Sequence, residues 1–310
     1  MTIHYVRHSE IDFSKWDGCI NQSINGIAYA YSWYLDEVAE GWNALVLDDY
    51  VAVLPLTVKR KFGVWYMCQP YFAQQLGVFS TQMLSAEMVS LFLSSLPTKI
   101  KLVDISLNIF TNPNSIKKFH VTQRVTYHLD LIASYANLYQ KYSKNTQRNL
   151  AKAIALQTAV VRGVDIAAFL RFTTENIKGN ISAEALAIME RLVRQLVSNG
   201  YGEIYGAYSN TNTLCATAIF VRFKGKSIYL LATSSKEGIS NRAMFMLIDS
   251  YIQKHSGSVV VLDFEGSMIP GVAKFYKGFG ACAVTYPHLF ISRLPWVYQL
   301  LFNIKRRLFH

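Results

Sequence analysis

A chain of 310 residues is long enough for two ordinary domains. With 51% apolar and 14% aromatic residues it can fill substantial cores, which excludes a disordered chain. Its 31 basic and 20 acidic residues give a formal charge of +11, which favours anionic partners such as phosphates, nucleotides, RNA or an anionic membrane surface without choosing among them.

In chain order, Thr2 to Arg7 alternates as a strand, and Phe13 to Asn21 and Tyr29 to Ala39 read as helices. Ala44–Leu47, Val51–Val58 and Val64–Cys68 form three consecutive strands joined by turns at Asp48-Asp49 and Lys59–Gly63. The loop Gln69–Gly77 follows, then a helix over 84–95, a strand Ile100–Leu107, a break at Asn112-Pro113-Asn114 and a strand Val121–Leu131. Ser134 to Leu156 reads as one long helical connection.

After it come a strand Ala159–Arg162, a helix capped by Asp165, a helix Ala183–Val197, and strands over 203–208, 215–223 and 227–233. Ser240 or Asn241 then caps a helix to about Lys254. The strand Val259–Asp263, the helix Pro270–Lys277 and the strand Cys282–Ile291 end this half, with Pro270 suited to the first helical position.

The two halves repeat one order: strand, two helices, three antiparallel strands, helix, strand, short helix or loop, strand. That order is the GNAT (N-acetyltransferase-like) order. The expected fold is α/β (α+β): two tandem GNAT-like lobes, each a mixed, largely antiparallel sheet flanked by helices. The boundaries fall at 1–132, 133–157 for the connection, and 158–310.

Cys19, Cys68, Cys215 and Cys282 form no C-x-x-C pair and read as reduced thiols in mostly apolar surroundings. No His or Cys cluster has metal-ligand spacing, so no metal is expected. Neither a signal peptide nor a span of the required apolar length of about 20 residues is visible. The expectation is a cytoplasmic protein. The aromatic and basic tail from Leu294 to His310 reads either as a packed terminal helix or as a peripheral contact with the inner membrane face, with Lys305, Arg306 and Arg307 toward headgroups. No Walker loop, G-x-S-x-G, H-E-x-x-H or dinucleotide fingerprint occurs, which removes NTPase, hydrolase, zinc-peptidase and dehydrogenase readings.

Two motifs carry a resemblance. Asp263-Phe264-Glu265-Gly266-Ser267 followed by Gly271-x-x-x-Phe275-Tyr276-Lys277-Gly278-Phe279-Gly280 resembles the C-terminal signature of Fem-type aminoacyl transferases and their tandem GNAT-like relatives. Ser143–Ala153, SKNTQRNLAKA, is similar to that family's basic helix. The resemblance implies transfer of an acyl group to an amine acceptor, from acyl-CoA or aminoacyl-tRNA. It further implies an acceptor bearing phosphate, of the peptidoglycan-precursor kind, and a site in a cleft between lobes.

The resemblance implies that Tyr276 acts as general acid on the leaving group, unless it is simply a core aromatic. Lys277 and Lys274 are the alternatives, stabilising charge at the reacting carbonyl beside backbone N–H groups near Leu231–Ser234. Asp263 or Glu265 could accept the proton of an attacking amine, or be structural. Phe264 and Ser267 sit in the same loop, at the carboxyl end of a strand, where open α/β sheets bind ligands.

The resemblance implies that the segment from Ser234 to Ala243 holds the pyrophosphate of an acyl-CoA. There Gly238, Ser240, Asn241 and Arg242 are the candidate donors, or merely a helix cap. Lys144, Arg148 and Lys152 share one helix face, with Asn149 beside them, and would meet phosphate or RNA unless simply solvated. Gln69, Tyr71, Gln74 and Gln75 suit sugar or peptide recognition, or packing between lobes. Two further readings remain: a non-catalytic GNAT-fold protein binding a nucleotide-linked sugar or lipid headgroup, and an RNA- or membrane-surface protein driven by charge alone.

Overall fold

The computed structural model of the chain describes residues 2–111, 119–177, 179, 181–266 and 268–294. The break at 112–114, Ser267 and the tail from 295 onward, all given readings above, lie outside the described residues. The chain divides into two compact units: Met1–Arg124 with Thr285–His310, and Val125–Val284.

The first unit begins with β1 (Ile3–Val6), α1 (Phe13–Gln22) and α2 (Ser32–Val38), then β2 (Asn43–Leu47) and β3 (Ala52–Leu56). It continues through β4 (Val58–Lys61), β5 (Val64–Cys68), β6 (Phe79–Ser80), α3 (Ala86–Ser94), β7 (Ile100–Ser106) and the start of β8 (His120–Asp130). β1, β2, β3 and β6 pair antiparallel. β4 and β5 form a hairpin, and β5 runs parallel to β7. Asp12 and Ser85 cap α1 and α3 through their side chains, relieving orphan N–H groups. Trp16 and Trp42 pack 4.6 Å apart, and the Trp16 indole N–H donates to the Ala30 carbonyl at 2.8 Å. A second core joins Leu54, Phe92, Ile105 and Leu289.

The second unit contains the rest of β8, then α4 (Tyr135–Gln140), α5 (Lys144–Ala155), β9 (Ala159–Arg162), α6 (Ile166–Asn176) and α7 (Ala183–Ser198). β10 (Gly202–Tyr208), β11 (Leu214–Phe223) and β12 (Lys226–Ser234) follow. After them come α8 (Lys236–Ser240), α9 (Ala243–His255), β13 (Val261–Asp263), α10 (Pro270–Lys277) and the start of β14 (Cys282–Ser292). β9 to β12 form an antiparallel meander, β12 and β13 run parallel, and β13 pairs antiparallel with β8. Phe220 stacks on Tyr251 at 3.7 Å in a core that includes Phe264 and Phe279.

Several elements differ from the sequence reading. The long helix of 134–156 is two helices, because Ser143 caps a new start by accepting from Thr146 N. β13 begins at Val261, since Val259 is 81% exposed and cannot serve as a buried strand residue. The helix expected to be capped by Ser240 or Asn241 begins at Ala243, with Arg242 at φ +59° in the cap position. The final strand, expected to close the second lobe, pairs with β7 of the first unit through His288–Ser292. Of the cysteines, Cys19 and Cys215 are buried, Cys68 is half-buried and Cys282 is exposed, all as free thiols.

Candidate functional site

β12 pairs with β11 from Lys226 to Ser234, with one register shift. Ile219 faces Leu231 and Phe220 faces Tyr229, so Leu230 is the extra residue of a bulge, a device that bends a strand and re-aims its groups. On its other edge β12 meets β13 at only Lys226–Val261, Ser227–Leu262 and Ile228–Asp263. β12 then continues to Ser234 while the chain after Asp263 turns away toward α10. Among the described residues, no strand covers that edge of β12 from Leu230 onward.

The gap is a cavity of about 310 Å3. Tyr229, Leu230, Ala232, Thr233 and Ser234 form one wall. Phe264, Glu265 and Gly266 form the turn, and Met244, Val272, Phe275 and Tyr276 close it from the helices. The corresponding parallel pair of the first unit stays zipped. β5 and β7 pair through Cys68–Asp104, then Gln69 N bonds Asp104 O at 3.1 Å and a bridge joins Leu76 to Leu107.

Tyr276 enters the cavity from α10. Its ring stacks on Phe264 at 4.8 Å and lies edge-on to Tyr229 at 6.2 Å. Its hydroxyl has no hydrogen-bond partner among the described residues. Burial, reinforced by the Glu265 and Asp263 carboxylates, holds this phenol above its ordinary pKa. It therefore remains a protonated donor at neutral pH. The neighbouring Tyr229 is also pushed up by burial, and its hydroxyl is taken up by Met244 Sδ at 2.9 Å.

The two carboxylates have different surroundings. Asp263 accepts from the Thr126 hydroxyl and from Glu265 N at 2.9 Å, and His128 Nε2 lies 3.2 Å from its other oxygen. Two hydrogen bonds anchor it. Glu265 lines the cavity at φ +57°, a left-handed conformation that costs a non-glycine residue roughly 1–2 kcal/mol. Phe264 is buried as the cavity's wall. The Lys277 ammonium lies over the Tyr127 ring at 5.8 Å, while Lys274 is exposed on α10.

The segment after β12 is not an open loop. Ser235 caps α8 by accepting from Gly238 N at 3.1 Å. Ile239 N, Asn241 N and Arg242 N all donate to carbonyls of the same turn. A Cβ on Gly238 would stand 2.0 Å from the Cys215 carbonyl oxygen, so the glycine answers to packing against β11. Gly238, Ser240, Asn241 and Arg242 do not line the cavity.

The two motifs of the resemblance meet inside this unit. Ser143 N donates to Gly278 O at 2.8 Å, and a Cβ on Gly278 would fall 2.4 Å from Thr146 Oγ1. Tyr142 packs edge-on to Phe279 at 5.2 Å. With Thr146, Leu150 and Ala153 buried, Lys144, Arg148 and Lys152 are exposed on the other face of α5. Asn149 Nδ2 donates to Asn145 O at 2.8 Å.

In the first unit, Gln69 braces its own loop: Nε2 donates to Ala73 O and Oε1 accepts from Ser106 N at 2.9 Å. Gln75 accepts from Ile109 N at 3.1 Å and donates to Gln74 at 2.9 Å, while Tyr71 is exposed. Sequence reasoning missed Tyr229, Thr126 and His128. Only folding brings β8 to Asp263, and no local signal could have flagged that pair. Among the described residues no His, Cys, Asp or Glu cluster could hold a metal ion.

No protein-family model matches the sequence, and no curated protein does. Solved structures do match. A crystal structure of FemX superposes with a TM-score of 0.68 at 14% identity, over 97% of this chain and 99% of that one. L-PGS from Bacillus licheniformis gives 0.56 at 9% identity, over 95% of each chain. A conserved protein of unknown function from Bacteroides thetaiotaomicron gives 0.58 at 9%, over 91% and 98%. The fold is therefore mixed α/β and of the FemX kind.

Proposed function

We propose that the chain is an acyltransferase that moves an aminoacyl group from an ester on tRNA to an amine acceptor. The observation that carries this reading is the separation of β12 from β13 beyond Ile228–Asp263. It leaves a bulged, uncovered strand edge facing a protonated tyrosine across a cavity of about 310 Å3. Preorganised N–H groups of such an edge can stabilise the oxyanion that develops at an acyl carbonyl.

In this reading the acceptor nitrogen attacks the ester carbonyl, forming the C–N bond. The C–O bond to the tRNA ribose then breaks. Tyr276 hands its proton to the departing hydroxyl oxygen, and the proton lost by the amine passes through Glu265 to restore it. Asp263 acts by position: hydrogen-bonded by Thr126 and Glu265 N, it fixes the turn that carries Glu265.

An aminoacyl ester is favoured over acyl-CoA because the amides at 238, 239, 241 and 242 are bound within their own turn. A pyrophosphate would find few free donors there. The exposed Lys144, Arg148 and Lys152 supply the electrostatics that a polyanionic tRNA requires. The resemblance of the two motifs to Fem-type aminoacyl transferases supports such a donor. A cell-wall peptide precursor bearing phosphate is the acceptor we favour.

Filter binding tests the donor. Charged tRNA should be retained at micromolar protein and acetyl-CoA should not. Retention of acetyl-CoA alone would reverse the donor assignment, and retention of neither would remove the transferase reading.

A further inference from the structure

The first unit holds a second cavity, of about 380 Å3, that the transfer reading does not use. β1 ends in the turn Arg7-His8-Ser9, which is fixed by His8 N donating to Asn43 Oδ1 at 3.2 Å. Tyr5, Val58, Trp65 and Ile100 supply apolar walls, and Lys99 stands at the start of β7. The Lys99 ammonium is 5.1 Å from the Tyr5 ring centre and 5.3 Å from that of Trp65.

Among the described residues, no carboxylate lines this cavity. Among the described residues, neither Arg7 nor Lys99 has an ion-pair partner. Glu10 and Asp36, which contact Arg7 and His8, are engaged elsewhere. Glu10 accepts from Arg7 N at 3.3 Å, and Asp36 accepts from the Trp42 indole at 2.8 Å and lies 3.8 Å from His8 Nε2. His8 Nδ1 is buried without a hydrogen-bond partner among the described residues. A concave site with two cationic side chains and low-dielectric walls concentrates positive potential.

We infer that this cavity binds the phosphate group of a ligand whose uncharged part lies against Tyr5 and Trp65. Arg7, Lys99 and Ser9 present donors from several directions. A tetrahedral phosphate has acceptor oxygens for all of them, whereas a carboxylate has two. The phosphate could belong to a lipid headgroup or to a soluble phosphorylated compound.

The Trp65 indole N–H is a built-in reporter. In 15N-labelled protein its resonance, assigned with Trp65→Phe, should shift saturably with added inorganic phosphate. The double variant Arg7→Gln/Lys99→Gln changes two exposed side chains and should weaken that binding about tenfold or more. Lys254→Gln, which does not line the cavity, should leave it unchanged. Co-sedimentation with phosphatidylglycerol vesicles identifies the source. Loss of vesicle binding in the double variant marks a headgroup, and equal vesicle binding with a lost phosphate shift marks a soluble ligand. The absence of a saturable shift, or an equal shift in the double variant, would overturn the inference.

Discussion

At the scale of single residues, Tyr276 is the side chain on which the chemistry turns. Replacing it with Phe removes one hydroxyl and leaves the stacking on Phe264 intact. Transfer should slow by about 10²-fold or more, the range for a lost general acid, with an unchanged melting temperature. A rate within a few-fold of wild type would leave the tyrosine a wall residue. A stability prediction rests on His255. Burial, with Arg222, Lys254 and Arg162 adding repulsion, lowers its pKa to about 4, and Nε2 is buried without a hydrogen-bond partner. A depressed folded pKa means the stabilisation is present above the unfolded value of about 6.5 and is lost as pH falls toward 4. Urea unfolding between pH 7 and 4.5 should show that loss, of up to about 2–3 kcal/mol. His255→Leu should flatten the profile.

Individual elements show why parts of this site could be read from the chain and others could not. The strand, turn and helix from 261 to 277 were legible, because Pro270 and the Phe275–Gly280 pattern are local signals. The bulge at Leu230 was invisible, since it depends on register with β11. α8 was hidden for a related reason. A short polar stretch containing a glycine reads as a loop, and only the Cys215 carbonyl beside Gly238 explains the residue. α10 itself offers a test of opposite signs. Gly278→Ala should destabilise by about 1–3 kcal/mol through its clash with Thr146. Gly271→Ala, with open space around its Cβ position, should be neutral or stabilising by roughly 0.5–1 kcal/mol. Thermal denaturation of both variants checks the pair, and equal effects would contradict the packing described.

For the whole molecule, the GNAT-like order of each half was legible from hydrophobic periodicity, whereas the division into units was not. The boundaries at 124/125 and 284/285 fall inside β8 and β14, so no linker composition marks them. Leu289, fully buried in the first unit's core, ties the end of the chain to β7. Leu289→Ala should cost about 2–4 kcal/mol, read as faster hydrogen exchange at β7 amides. Unchanged exchange at β7 would contradict that pairing.

The central claim is that the acyl carbonyl sits where β12 and β13 part. A crystal structure with an aminoacyl-adenosine amide, a stable mimic of the tRNA end, tests it most directly. The carbonyl carbon should lie between the β12 backbone at Leu230–Ser234 and the Tyr276 hydroxyl. Density for the mimic anywhere else, with this cavity empty at saturating concentration, would contradict it.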